Sequence, residues 1–300
     1  MSKQIESSDQ PNLSVIIPYQ DNLKEVEDII LTLENQSYPS EKIELLLIYN
    51  SSLNGLNRNS IPVNSEIKFE FLEEKIHLNS PYSARNRGIE RATGDIIVFI
   101  DANSTPDKCW LEIGINFLIE MNYDLVAGKV DFDFGERITA AKIVDSLTSI
   151  DMKNAVEGRG VAYTANLFVK KDVFYNVGTF EEKTRSGGDV RFTKKAVKTG
   201  YKIGFCENSL VWKKARDFKS LYQKKIRTGK GYFYTWKDDE EKRIWFYNLL
   251  RAFKPPTSKR FKQNHDQVSS VVIWFHLYLV GIVEQLAFIA EYIKYNLRSD

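Results

Sequence analysis

Three kinds of residue in this 300-residue chain are placed where they could do chemistry. The first is a carboxylate, Asp101, directly after the apolar run Ile96-Ile97-Val98-Phe99-Ile100. Such a run reads as a strand covered on both faces, and open α/β sheets bind ligands outside the carboxyl ends of their strands. The alternative is that Asp101 merely caps the turn into Pro106. The second is Asp189, which follows Gly187-Gly188 where a helix should start. An aspartate there either stabilises the helix dipole or takes a proton from a substrate. The third is positive charge: Lys213-Lys214-Ala215-Arg216, then Lys224-Lys225-Ile226-Arg227-Thr228-Gly229-Lys230. These are either solvated surface or fixed cations beside an anionic ligand.

Other chemistries find little support. His77, His265 and His276 are scattered and form no ligand motif, and Cys109 and Cys206 suggest neither a disulfide framework nor a zinc site. No Gly-rich phosphate loop, nucleophile elbow or Cys-x-x-Cys is present. A net charge of +2 gives no case for nucleic acid as a partner. The start, MSKQIESSDQPN, has no apolar core and reads as a disordered tail over 1–12 on a cytoplasmic protein.

The elements that must position these groups follow from apolar spacing. Leu13 to Tyr19 is a short strand, and Asp21-Asn22 caps a helix carrying Leu23, Val26, Ile29, Ile30 and Leu33. Ile43 to Tyr49 reads as a second buried strand and Lys68 to Glu73 as a third. Ala84, Gly88 and Ala92 lie at helical spacing, so one helix face can press closely on a sheet. Thr93-Gly94 is expected to end that helix with a left-handed cap, Pro106 to open a helix over 107–122, Leu125 to begin another strand, and Gly158-Arg159-Gly160 to form a flexible turn. Strands alternating with helices in this order predict an α/β fold with a mainly parallel sheet.

The stretch from Ser80 to Asn103 also resembles the central segment of family 2 glycosyltransferases, enzymes of the Rossmann-like GT-A fold that use nucleotide-sugar donors. Ser83-Ala84-Arg85-Asn86-Arg87-Gly88, Ala92-Thr93-Gly94-Asp95 and Asp101-Ala102-Asn103 carry that resemblance. It extends to Ser14 through Pro18 to Gln20, to Ile48-Tyr49-Asn50-Ser51-Ser52-Leu53-Asn54-Gly55, to Tyr163 through Asn166 to Lys171, and to Phe174, Val177-Gly178 and Phe180. Ser186-Gly187-Gly188-Asp189-Val190-Arg191-Phe192 is similar to the family's "GEDxxF", with Gly188 in place of Glu. A domain over 13–231 is implied, followed by a helical extension over 232–300.

The resemblance implies a sugar transfer with inversion, to a hydroxyl on a glycan, a lipid or a small molecule. Asp189 would act as general base, with Asn166 and Gly188 on the acceptor side. Pro18, Tyr49, Arg85, Asp101, Asn103, Lys213 and Arg216 would contact the donor nucleotide. Three positions depart from the family pattern: Tyr49 stands for an acid, Asn103 for the second Asp of Asp-x-Asp, and Lys213 for a His. The last two remove capacity for Mn²⁺ or Mg²⁺, since an amide is a weak ligand and an ammonium is none; Asp101 alone is left as a metal ligand. Either Lys213, helped by Arg216, supplies the positive charge itself, or the chain is an inactive relative that binds a nucleotide or serves as a scaffold.

Beyond the basic, proline-stiffened linker at 254–264, residues 268–293 carry an apolar helical stripe: Val268, Val271, Val272, Phe275, Leu279, Ile282, Val283, Leu286, Ile289 and Ile293. Its uncharged part ends at Glu284, marginal for a bilayer span. The alternatives are packing on the domain, a homo-oligomer contact, or a helix lying at the inner face of the membrane with Lys259, Arg260 and Lys262 meeting anionic lipid.

Overall fold

The computed structural model describes residues 10–20, 23–51, 67–182, 184, 186–236, 254–256 and 268–297. The tail over 1–9, the cap pair Asp21-Asn22, residues 52–55, linker residues 257–264 with their three cations, and His265 lie outside the described residues.

Four strands run parallel to one another: β1 (Leu13–Tyr19), β2 (Ile43–Tyr49), β3 (Lys68–Glu73) and β4 (Ile96–Ile100). Every residue of β2 and β4 is buried, as continuous apolar runs require. The second half departs from the parallel pattern. β7 (Asn166–Lys170) enters antiparallel between β4 and β6 (Leu125–Asp133), and β5 (Ser104–Pro106) pairs antiparallel with β8 (Ile203–Lys214). The full order is β3-β2-β1-β4-β7-β6-β8-β5. The flanking helix α1 (Leu23–Glu34) buries Val26, Ile29, Ile30 and Leu33, four of the five residues of its 3.6 spacing, with Leu23 half-buried.

Helix α2 (Pro81–Arg91) presses Gly88 on β1: a Cβ there would lie 2.7 Å from Ile16 Cγ2. Its end differs from expectation. Ala92 caps it at φ −58°, and Gly94 is not left-handed; a Cβ on Gly94 would instead lie 2.6 Å from the Ser14 backbone nitrogen. Glycine is required there for close approach to β1. Pro106 belongs to β5, and α3 (Trp110–Glu120) starts only after Cys109. Gly158 and Arg159 continue α5 (Met152–Arg159), behind α4 (Ala140–Thr148), and Gly160 stops it at φ +62°. Then come α6 (Lys171–Val177), α7 (Gly188–Lys198), α8 (Phe218–Trp236) and α9 (Ser270–Asn296).

The chain divides into two compact units, one drawn from 1–131, 151–183 and 188–213, the other from 132–150, 184–187 and 214–300. The boundary expected at residue 231 falls inside α8, which packs with α9 and α4 in the second unit. Gly229 permits this: a Cβ on it would lie 2.1 Å from the Glu284 carbonyl oxygen of α9. Thr228 Oγ1 donates to Glu284 at 2.7 Å beside it. Also in this unit, the fully buried Asp145 accepts from the Arg216 backbone N–H at 3.0 Å and ion-pairs with Arg216 and Lys224, each at 3.3 Å.

Helix α9 packs Ile273, Leu277, Val280, Ala287 and Phe288. That face is offset from the anticipated stripe, whose Val271, Phe275, Leu286 and Ile293 are all more than half exposed. The helix is apolar on both counts, because its composition leaves few polar positions anywhere on its circumference. By length and composition α9 is long and apolar enough to cross a membrane.

Candidate active site

Helix α2 organises the first unit. Ser80 caps it, accepting from the Ser83 N–H at 3.3 Å, and Pro81 takes the first-turn position where no N–H is needed. Three side chains then point three ways. Asn86 clamps the Phe180 backbone like a strand partner, donating to its carbonyl at 2.8 Å and accepting from its N–H at 3.0 Å. Ser83 donates to the Glu182 carbonyl at 2.9 Å. Arg85 goes to Asp101.

Asp101 ends β4 and opens a turn closed by the Ser104 N–H on the Asp101 carbonyl at 3.1 Å, which places Asn103 half-buried in the turn. The carboxylate sits between two cations. Arg85 Nη2 donates to Oδ1 at 2.8 Å and Lys213 Nζ to Oδ2 at 2.5 Å. Lys213 is only 3% exposed although it is a lysine, and Arg85 4%. Register explains the lysine: β8 pairs Lys213 opposite Ser104, three residues past Asp101. Two further polar atoms, Arg85 Nε and Ser104 Oγ, are buried without a protein partner. A buried donor left without an acceptor is costly.

Asp189 lies in the first turn of α7 and is 8% exposed. Its Oδ1 accepts from Tyr82 Oη and from the Val190 N–H, both at 2.9 Å. Its Oδ2 has longer contacts, with the Thr164 N–H at 3.2 Å and Thr164 Oγ1 at 3.4 Å. Burial pushes the carboxyl above the ordinary aspartate range, against the pull of the Arg85 charge and of these donors. Burial, and then the Asp189 charge, hold the Tyr82 phenol protonated, so it is the donor. A carboxylate raised in this way is suited to accept a proton.

The remaining expected residues divide. Pro18 is half-buried near the end of β1, and Tyr49 closes β2 with its ring 5.6 Å from that of Tyr19. Gly188 lies against Tyr82. Asn166 is fully buried with its polar atoms spent inside the sheet: it donates to the Lys129 and Ser209 carbonyls, each at 2.9 Å, and accepts from Trp110 Nε1 at 2.8 Å. It joins neighbouring strands through these bonds. Arg216, expected at the diphosphate, ion-pairs with Asp145 in the second unit at 3.3 Å. Tyr82 and Thr164, which also contact Asp189, were not among the expected site residues, although Thr164 lies in the matched stretch from Tyr163 to Lys171.

The residues present do not fit a divalent metal. Both oxygens of Asp101 already receive cations, Asn103 offers only an amide, and no group of three His, Cys, Asp or Glu capable of holding a metal occurs among the described residues.

Comparison with known proteins identifies the arrangement. The curated glycosyltransferase AglE of Haloferax volcanii is 33% identical across 98% of this chain and 99% of its own length. Among solved structures, the mannosyltransferase PcManGT from Pyrobaculum calidifontis, in complex with GDP-Man and Mn²⁺, superposes with a TM-score of 0.59 at 15% identity, covering 95% of this chain and 75% of that one. S. aureus TarS 1-349 in complex with UDP-GlcNAc gives 0.55 at 14%, covering 95% and 92%. These are glycosyltransferase structures of the GT-A fold. The model for "Glycosyl transferase family 2" matches residues 14–180, more than half of the chain. With its Arg85–Asp101–Lys213 cluster and its buried Asp189 set on that fold, the chain belongs to glycosyl transferase family 2.

Proposed function

We propose that this glycosyltransferase moves a sugar from a nucleotide-sugar donor to an acceptor hydroxyl with inversion, and that Lys213 replaces the divalent metal. One observation carries the reading: Lys213 is buried and donates to Asp101 Oδ2, where a metal would otherwise bind. As the acceptor oxygen bonds to the anomeric carbon, its proton passes to Asp189. The bond from that carbon to the diphosphate breaks, and the nucleoside diphosphate leaves with the electron pair. Its charge is met by Lys213 and Arg85, fixed in place before the reaction and so requiring no reorganisation. Tyr49 is assigned to the base, Pro18 and Asn103 to the donor side, and Gly188 to the acceptor side.

Thermal unfolding with GDP-mannose and with UDP-N-acetylglucosamine, each with Mn²⁺ or with EDTA, tests this. A ligand that binds only the folded chain at about a hundred times its Kd adds about 2.7 kcal/mol. The expected result is stabilisation by one of these donors that survives EDTA. Stabilisation only with Mn²⁺ would return the role to a metal, and none with any nucleotide sugar would favour the non-catalytic alternative.

A second reading concerns α9. Its exposed Val271, Phe275, Leu286 and Ile293 support peripheral contact with a membrane from the cytoplasmic side, and the cations at 259, 260 and 262 supply charge for anionic headgroups.

A further inference from the structure

The geometry points to Tyr82 as the positioning residue for Asp189, held in place by the absence of a side chain at Gly188. This inference rests on the reading of Asp189 as the base, and it concerns a residue that no motif marks.

The observations interlock. Tyr82 is buried in the first turn of α2, its ring tilted on Phe180 with centroids 5.7 Å apart. A Cβ on Gly188 would lie 2.9 Å from Tyr82 Cγ and Cδ2. The ring thus fills the space that a side chain at 188 would take, and any other residue there would push it aside. So placed, the ring carries Oη to 2.9 Å from Asp189 Oδ1. With the Val190 N–H, that gives Oδ1 two full hydrogen bonds, and Oδ2 keeps only the two longer contacts with Thr164. Oδ2 is the oxygen left with capacity for an incoming proton. The Arg85 guanidinium also lies 5.7 Å from the Tyr82 ring centroid. One helical turn therefore holds both the base and the cation on Asp101.

The charged and titratable groups facing Asp189 are Arg85 and Tyr82 from α2, while the loop before β7 contributes the neutral Thr164. Tyr82 donates to the ionised carboxylate. Removing that donor must make Asp189 hold its proton more tightly, in the same direction as burial already acts.

The test uses the full chain with ¹³Cγ-labelled aspartate, followed by NMR across pH. The Asp189 signal is the one lost in Asp189→Asn. In Tyr82→Phe its midpoint is expected to rise by about half to one pH unit, a threefold to tenfold gain in proton affinity. Gly188→Ala is expected to raise it likewise, and to add nothing further in the Tyr82→Phe background. A midpoint unchanged in both single variants would overturn the proposal. Fully additive shifts would overturn the link between Gly188 and the hydroxyl. The base reading fails separately: an Asp189→Asn variant that releases nucleoside diphosphate from GDP-mannose or UDP-N-acetylglucosamine at the wild-type rate removes it, whatever Tyr82 does to the midpoint.

Discussion

At the scale of residues, the proposed function exchanges one kind of positive charge for another. A divalent ion needs acidic or imidazole ligands, whereas an ammonium needs only to be buried beside an anion. On that reading Asn103 and Lys213 are the two changes that make the exchange, and the contact of Lys213 with Asp101 at 2.5 Å supports it. The exchange should be reversible. In the double variant Asn103→Asp/Lys213→His, turnover of the donor found by thermal unfolding is expected to require Mn²⁺, with about a hundredfold difference between Mn²⁺ and EDTA, comparable to the loss of one group that stabilises developing charge. A double variant indifferent to EDTA would count against Lys213 as the stand-in. Both positions were legible in the sequence as departures from the family pattern. Tyr82 was not, because its partner Asp189 lies 107 positions away and only the folded chain brings them together.

At the scale of elements, β1 to β4 and the flanking helices were legible because apolar spacing and strand burial are local. Glycines were harder to read. Gly94 and Gly229 are defined by what lies opposite, respectively the backbone of β1 and the carbonyl of Glu284. A sequence reports that a glycine is present but not what it admits. Hence the left-handed cap expected at Gly94 is absent. Gly229→Ala is the sharper experiment. In an exposed helix that change stabilises by roughly 1 kcal/mol. Here the added Cβ would meet a backbone oxygen at 2.1 Å, so the sign should reverse to a loss of about 1–3 kcal/mol. Urea unfolding would show it as a lower midpoint at unchanged slope, and a stabilised variant would mean that α8 and α9 do not meet so closely.

At the scale of the whole molecule, α9 shows how composition can conceal direction. Apolar residues lie on more than one face, so helical spacing alone could not choose the packed one, and Val271, Phe275, Leu286 and Ile293 of the anticipated stripe are exposed. Peripheral membrane contact predicts that the chain sediments with vesicles containing anionic phospholipid, and that Val271→Asp/Phe275→Asp lowers the bound fraction at least about tenfold. The double change removes two exposed apolar side chains, each giving roughly 1.5–3 kcal/mol when fully buried. Equal binding by both forms would leave that face to another use.

The alternation along β8 has one more consequence. Ser209, Val211 and Lys213 are buried, while Trp212 and Lys214 face outward. Charge on this strand therefore obeys parity. From Ser209 to Lys214 an odd position enters the sheet and an even one meets water, although Lys213 and Lys214 are the same amino acid side by side; at the start of the strand the parity is the opposite, with Gly204 and Cys206 buried. While its pairing with β5 holds, β8 can change length ahead of Lys213 by two residues and keep the charge pointing at Asp101. A change of one turns it to solvent and brings in its neighbour of opposite facing.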